Sequence, residues 1–210
     1  MKFLNPDIPL DGIRLFGFDM DGTLYDEFDY VLQAYTRIAE LLAAADKDAA
    51  LRFMVDRWLE KGSSYPFIYG ETLERFGDTV QQDMKIKEAL AIYRTLIPEI
   101  SLAPRIRYLL DRIKRDFPMF LVSDGSSILQ WNKVRALGLE EFFDRENIFI
   151  SGDHGKGFEK PNILGLERIP LISDVPPDTV LFVGDRERDA QFARNAGFRF
   201  VHIKDLFAAQ

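Results

Sequence analysis

One stretch decides how this sequence folds: Phe18-Asp19-Met20-Asp21-Gly22-Thr23-Leu24. It begins at Phe18, where a short apolar run, Ile13–Phe18, ends. Hydrophobic residues dominate that run instead of alternating with polar ones, which is typical of a strand buried on both faces of a parallel sheet. Open α/β sheets bind their ligands at the carboxyl ends of such strands. We therefore expect the two aspartates to lie at a ligand-binding edge.

Four more apolar runs along the chain predict further strands: Met119–Val122, Ile148–Ile150, Val180–Val183 and Phe198–Ile203. Helical periodicity separates most of them, over Pro104–Arg115, Ser127–Leu137 and Asp189–Ala196, and the last two helices have Gly138 and Gly197 as C-terminal caps. In the middle helix the spacing puts Ile128, Trp131 and Val134 on one face, which we expect to pack in the core. This alternation of strands and helices favours an α/β fold with an open, doubly wound, Rossmann-like parallel sheet of five strands.

Residues 26–100 interrupt the alternation with helical patterns and no convincing strand. Three apolar helical stripes lie within Val31–Leu41, Leu51–Trp58 and Ile86–Leu96, and Lys61–Gly77 is predicted to be a loop or a short helix. A segment of 75 residues (100 − 26 + 1) is too long for an ordinary connection between two elements. It predicts a helical cap subdomain inserted into a Rossmann-like core of residues 1–25 and 101–210.

The composition of the 210-residue chain excludes several kinds of chemistry. The chain has no cysteine, which excludes disulfides and thiol catalysis, and two histidines are too few for an ordinary multi-histidine zinc site. A formal net charge of −7 disfavours nucleic acid as a partner. Since no apolar run approaches the roughly 20 residues of a membrane span and no signal peptide is visible, we expect a cytoplasmic protein with no membrane partner. The oligomeric state stays open.

The two aspartates of the opening stretch can face one pocket and play different roles. Asp19 is expected to attack a phosphoryl phosphorus and form an aspartyl-phosphate. Asp21 is expected to protonate the leaving oxygen and then to activate water as a general base. Gly22 permits a tight backbone turn beneath them, and the hard oxygen ligands favour Mg²⁺ as the cofactor. An Asp-Gly turn with two solvated acids is the plain structural alternative.

Two polar residues further along the chain can bind the phosphoryl group. Ser123 ends the second predicted strand and can donate a hydrogen bond to a phosphoryl oxygen, helped by backbone N–H groups at the start of the next helix. Lys160 can neutralise Asp19 and the charge that develops on the phosphoryl group. Taken singly, Ser123 has a helix-entry cap as its structural alternative, and a lone Lys160 is more typical of a solvated surface lysine.

The order of these motifs resembles that of the haloacid dehalogenase-like hydrolase superfamily. Asp-x-Asp-Gly-Thr at residues 19–23 is followed by Ser123, by Lys160-Pro161 and by Gly184-Asp185-x-x-x-Asp189. The inserted helices match that superfamily's helical cap, so the resemblance covers nearly the whole chain. It implies a magnesium-dependent phosphatase.

The same resemblance implies roles for individual residues. The metal ligands would be the carboxylates of Asp19 and Asp185 and the backbone carbonyl of Asp21, while Asp189 would orient the lysine or a water on the metal. The implied substrate and phosphate site consists of Ser123, Asp124, Gly125, Lys160, Gly22, Thr23 and Tyr25. Three residues depart from the superfamily's frequent pattern, namely Asp124, Asn162 and Arg186.

The acid at position 21 favours phosphate chemistry, because the dehalogenases proper lack an aspartate there and carbon–halogen cleavage needs no proton donor. We expect a small phosphorylated metabolite as substrate, selected by the cap. Candidate cap contacts are Arg52, Arg57, Trp58, Tyr65, Tyr69 and Arg75. Two alternatives stay open: a phosphosugar mutase on the same scaffold, and a non-catalytic binding or regulatory protein of the same fold.

Overall fold

Within the described residues, five parallel strands form one sheet. The computed structural model describes residues 4–5, 7–8 and 10–207. Its strands are β1 (Leu15–Phe18), β2 (Met119–Ser123), β3 (Ile148–Ile150), β4 (Val180–Gly184) and β5 (Arg199–His202), in the spatial order β3-β2-β1-β4-β5. All four pairings are parallel, which confirms the predicted α/β fold class.

The chain divides into two compact units, one formed by residues 1–26 and 100–210 and the other by residues 27–99. The second unit contains helices α1 (Glu27–Leu42), α2 (Lys47–Lys61), α3 (Ile68–Phe76) and α4 (Gln82–Thr95). Helix α1 packs on α2 and on α4, where the rings of Tyr30 and Tyr93 meet edge to face. Helix α3 lies in the segment that the sequence predicts to be a loop or a short helix.

The described part of the first unit also contains the α-helices α5 (Pro104–Ile113), α6 (Ser127–Ala136), α7 (Glu187–Ala196) and α8 (Ile203–Leu206). Gly138 and Gly197 follow α6 and α7 with φ values of 65° and 73°, a left-handed conformation that glycine adopts at little cost. Both predicted caps are therefore confirmed. None of the helices within the described residues is long and apolar enough to cross a membrane.

Strand order explains why β1 is central. The chain builds β2 and β3 on one side of β1 and then returns to build β4 and β5 on the other side. The direction of winding reverses between β1 and β4, and ligand sites of open α/β sheets lie at the carboxyl ends of strands at such a reversal. The segments that follow β1 and β4 are therefore the expected place for a functional site.

The buried face of α6 differs from the predicted one. Val134 is fully buried as expected, but Ile128 is 58% exposed, so the prediction was wrong for Ile128. Trp131 is half-buried, and its indole N–H donates to Asp153. The inward face of α6 instead carries these residues: Leu129, Gln130, Asn132, Lys133 and Val134. Gln130 and Lys133 on this face both donate to Asp21 at the carboxyl edge of the sheet, which offsets the cost of burying them.

We expect Gly17→Ala to destabilise the core unit, because a Cβ at Gly17 would lie 2.2 Å from Cζ of Phe120 on the neighbouring strand. Overpacking of this kind costs about 1–3 kcal/mol of unfolding free energy. The measurement is urea denaturation followed by circular dichroism. Combining Gly17→Ala with Phe120→Leu removes the clash, so the double variant should lose less stability than the sum of the two single losses. Simple additivity would contradict this account of the packing.

Candidate active site

The chain turns sharply after the carboxyl end of β1. This turn places Asp19 and Asp21 where the winding of the sheet reverses between β1 and β4. The backbone N–H of Asp19 donates to the carbonyl of Val183 on β4, at 2.9 Å. Gly22 has a φ of +77°, and a Cβ there would lie 2.3 Å from Oδ2 of Asp185. Both the conformation and the space therefore require glycine, as the sequence predicts.

Asp19 is buried, and each of its carboxylate oxygens accepts a hydrogen bond. Oδ1 lies 2.5 Å from Nζ of Lys160, and Oδ2 accepts from Oγ1 of Thr23 at 3.0 Å. Burial raises the pKa of Asp19 to about 7, against the opposing effect of the Lys160 ammonium. An additional positive charge near Asp19 would lower this pKa and stabilise the carboxylate form.

Lys160 is buried among carboxylates and is not a solvated surface lysine. Its Nζ lies 2.6 Å from Oδ1 of Asp189 as well as 2.5 Å from Asp19. Burial alone would lower the pKa of Lys160, but Asp19 and Asp189 raise it above its usual value. The backbone N–H of Lys160 donates to both carboxylate oxygens of Asp124, at 3.1 and 3.2 Å, which fixes the loop after β3. Lys160 is therefore held at both its backbone and its side chain.

Three carboxylates converge at the ends of β1 and β4. One oxygen from each of Asp19, Asp185 and Asp189 can be chosen so that all three lie within 4.8 Å of one another. Oδ2 of Asp189 also accepts from the backbone N–H of Arg186, at 3.1 Å, at the start of α7. Donor sets of carboxylate oxygens suit hard divalent cations such as Mg²⁺. The described residues thus fit the predicted kind of metal, and the Asp189 carboxylate, which accepts from Lys160 and Arg186, remains predicted to orient the lysine or a water on the metal.

Asp21 is surrounded by hydrogen-bond donors. Nζ of Lys133 lies 2.6 Å from its Oδ1, the Tyr25 hydroxyl donates to the same oxygen at 2.5 Å, and Nε2 of Gln130 donates to Oδ2 at 2.7 Å. Burial would raise the pKa of Asp21, but Lys133 first, and then Tyr25 and Gln130, hold it below its usual value. Asp19 and Asp21 therefore stand two residues apart in opposite electrostatic surroundings.

Lys133 and Gln130 are not among the site residues predicted from the sequence. Both lie on the inward face of α6, and Lys133 stands four residues from Leu129 and from Leu137, which are both buried. A charged residue between apolar residues at intervals of four indicates a buried lysine with a specific partner. That pattern is the signal in the sequence that could have found it.

The predicted phosphate-binding residues fall into two groups. Ser123 ends β2 with no exposed surface, and within the described residues its Oγ has no hydrogen-bond partner. The backbone N–H of Gly125 donates to Oγ of Ser151, at 3.2 Å. The Asp124 carboxylate holds the backbone of Lys160, and burial raises its pKa against the effect of Lys160. Ser123 is thus available for a ligand, whereas Asp124 serves the loop.

Most of the candidate cap residues have partners inside their own unit. Arg57 forms ion pairs with Glu60 and Glu71. The remaining contacts are Tyr65 with Glu71, Trp58 with Ser63, the buried Tyr69 with Tyr35, and Arg75 over the rings of Phe53 and Phe76. Arg52 is exposed. Their proposed role in substrate selection stays a prediction.

The two histidines lie outside this constellation. The ring of His154 is parallel to that of Phe149, with the centroids 4.9 Å apart, although the residue is exposed. Nδ1 of His202 accepts from the backbone N–H of Lys204 at the start of α8, at 3.1 Å. Both positions have a structural explanation.

Comparison with known proteins agrees with this geometry. A family model described as haloacid dehalogenase-like hydrolase matches residues 17–203. A glyceraldehyde 3-phosphate phosphatase of Pyrococcus furiosus is 27% identical over 198 residues, which cover 91% of this chain and 81% of the relative. A phosphoglycolate phosphatase of Photorhabdus laumondii is 26% identical over 191 residues, covering 90% of this chain and 79% of that protein.

A solved structure is similar as well. A HAD-superfamily hydrolase of Geobacter sulfurreducens matches with a TM-score of 0.66 and 22% identity, over 91% of this chain and 87% of that one. Together these findings confirm the predicted family resemblance and the predicted phosphatase class. The metal and the roles of individual residues stay predictions.

We expect Lys160→Met to destabilise the protein by about 3–5 kcal/mol, because it leaves the buried carboxylates of Asp19 and Asp189 without their ammonium partner. Urea denaturation measures the loss. Lys47→Met is the matched control, since Lys47 forms an exposed ion pair with Glu40 and its removal should leave stability essentially unchanged. Equal losses in the two variants would mean that Lys160 does not balance the buried charge.

Proposed function

We propose that this chain, which belongs to the haloacid dehalogenase-like hydrolase family, is a magnesium-dependent phosphatase that hydrolyses a small phosphorylated metabolite through an aspartyl-phosphate. One observation carries the proposal. The Asp19 carboxylate is buried at the end of β1, held by Lys160 and Thr23, with a second acid, Asp21, two residues further on.

In the first half of the proposed reaction, a carboxylate oxygen of Asp19 attacks the phosphorus of the substrate. A new O–P bond forms on Asp19, and the P–O bond to the leaving alcohol breaks. Asp21 gives its proton to the departing oxygen, so the product leaves as a neutral alcohol. The hydrogen bonds from Lys160 and Thr23 keep the Asp19 carboxylate oriented and limit its side-chain rotation.

In the second half, Asp21 acts as a carboxylate and accepts a proton from water. The water oxygen attacks the phosphorus of the aspartyl-phosphate, the O–P bond to Asp19 breaks, and inorganic phosphate leaves. Asp19 returns to a carboxylate and Asp21 returns to the acid form, so the cycle closes. Lys133 and Tyr25 donate to Asp21 and stabilise the carboxylate that this half-reaction requires.

The chain's own residues provide the phosphate and metal positions. Asp19 and Asp185, with the backbone carbonyl of Asp21, would hold the divalent cation, which would offset the repulsion between an anionic nucleophile and an anionic substrate, and Asp189 would orient Lys160 or a water on the metal. Ser123 would donate its hydroxyl to a phosphoryl oxygen, and a buried hydroxyl that has no hydrogen-bond partner among the described residues supports that role. Lys160 stabilises the charge that spreads over the phosphoryl oxygens.

The names of the relatives suggest the size of the substrate. Glyceraldehyde 3-phosphate and phosphoglycolate, which two relatives are named for, are small phosphorylated carbon compounds. We propose a substrate of this class, with residues 27–99 acting as a cap that selects the leaving group. A cytoplasmic location stays a prediction.

Asp19→Asn should abolish turnover, because an amide oxygen is a poor nucleophile and cannot return to a carboxylate. The measurement is phosphate release from an aryl phosphate and from a panel of small sugar and acid phosphates in the presence of magnesium. Asp111→Asn, an exposed aspartate on α5, is the control and should keep full activity. Retained activity in Asp19→Asn would refute the assignment of the nucleophile. Isomerised sugar phosphate without free phosphate would instead identify a mutase.

Magnesium should stabilise the folded protein, and Asp185→Asn should remove most of that effect. Ligand binding to the native state adds about 2.7 kcal/mol at a hundredfold excess over Kd. Thermal unfolding with and without magnesium measures this stabilisation without any substrate. Asp178→Asn, an exposed aspartate of the same unit, should respond to magnesium like the unaltered protein. A magnesium response that survives in Asp185→Asn would exclude Asp185 as a ligand.

A further inference from the structure

Lys133 is a fully buried lysine whose ammonium contacts the carboxylate of Asp21. Its side chain is 2% exposed, and its Nζ lies 2.6 Å from Oδ1 of Asp21. The lysine comes from α6, a helix on a different segment of chain from Asp21, so folding has to bring the two together. Removing a lysine from water is costly, and a lysine in this position therefore needs a charged partner.

The two carboxylate oxygens of Asp21 accept hydrogen bonds from different donors. Oδ1 accepts from both Lys133 and the hydroxyl of Tyr25, which is itself buried. Oδ2 accepts from Gln130, whose Nε2 also donates to the backbone carbonyl of Asp124. An oxygen that already faces two donors is badly placed to carry a proton itself. Oδ2 is consequently the oxygen that can exchange its partner for a reacting group.

We propose that Lys133 and Tyr25 are positioning residues that hold Oδ1 of Asp21 and so direct Oδ2 toward the leaving oxygen of the substrate. This inference rests on the proposed function, in which Asp21 protonates that oxygen. Holding a general acid in one orientation matters because proton transfer requires hydrogen-bond distance and alignment in the transition state. Neither Lys133 nor Tyr25 has to touch the substrate for this effect.

The proposal predicts a loss that depends on the leaving group. An alkyl alcohol leaves slowly unless it is protonated, whereas a dinitrophenolate leaves without a proton. Lys133→Met should therefore lower kcat/KM for an alkyl phosphate by about 10–100-fold, which is part of the roughly 100–10,000-fold that general acid catalysis contributes, and change it less than about threefold for 2,4-dinitrophenyl phosphate. The ratio kcat/KM is the right quantity, because it reports the steps up to departure of the leaving group and excludes hydrolysis of the aspartyl-phosphate.

Four further variants control the comparison: Tyr25→Phe, Arg135→Met, Asp21→Asn, and Asp21→Asn combined with Lys133→Met. Tyr25→Phe removes one hydroxyl and should show the same selective loss on a smaller scale, and it decides the question if Lys133→Met fails to fold. Arg135→Met removes a cation from the exposed side of the same helix and should leave both substrates unaffected. In an Asp21→Asn background, Lys133→Met should change either activity by less than about twofold, because its effect runs through Asp21.

The outcomes distinguish a failure of the proposed role of Asp21 from a failure of the positioning role of Lys133 and Tyr25. If Asp21→Asn slows both substrates equally, Asp21 is not the general acid, and the proposed mechanism and this inference both fall. If Asp21→Asn is selective for the alkyl phosphate but neither Lys133→Met nor Tyr25→Phe is, only the positioning role is overturned. A selective loss in Lys133→Met or Tyr25→Phe that disappears in the Asp21→Asn background supports the proposal.

Discussion

The rest of this structure depends on one buried ammonium group. Nζ of Lys160 lies within 2.6 Å of oxygens of both Asp19 and Asp189, and all three side chains are almost completely buried. Two carboxylates this close to each other repel strongly in a medium of low dielectric constant unless a cation lies between them. The fold must therefore place the Lys160 ammonium at the end of β1, and the neighbouring loops and helix ends hold it there.

Each member of the group is also held in place by a hydrogen bond from a backbone N–H. Asp124 accepts the backbone N–H of Lys160, and Asp189 accepts the N–H of Arg186 at the start of α7. Asp19 is fixed by the hydrogen bond from its N–H to Val183 on β4. Because the loop after β3, the first turn of α7 and the end of β1 are fixed independently, the charges meet in one geometry, which is the form of preorganisation that electrostatic catalysis requires.

How far the sequence predicts this site depends on the range of the interactions involved. Asp19, Asp21 and Gly22 act within one short turn, so their spacing alone predicts their arrangement, and the apolar runs predict all five strands. Lys133 was missed because its role depends on which face of α6 turns toward β1. The apolar residue Ile128 suggested a different face, yet it is exposed, since the inward positions are occupied by groups that bind Asp21. A prediction from helix periodicity takes the apolar face of a helix to be the buried face, and this fails where the helix packs beside a polar site.

The pKa values of the two aspartates in the protein alone differ from those that the proposed reaction requires. Within the protein's own groups, burial raises the pKa of Asp19, while Lys133 and its neighbours lower that of Asp21. The proposed first half-reaction needs the reverse, a carboxylate at Asp19 and an acid at Asp21. A divalent cation near Asp19 lowers the pKa of that nucleophile, and a phosphate dianion near Asp21 raises the pKa of that acid. In the proposed mechanism, the protein's own donors would stabilise Asp21 as the base of the second half-reaction, and the charges of the metal and the substrate would set the protonation states of the first.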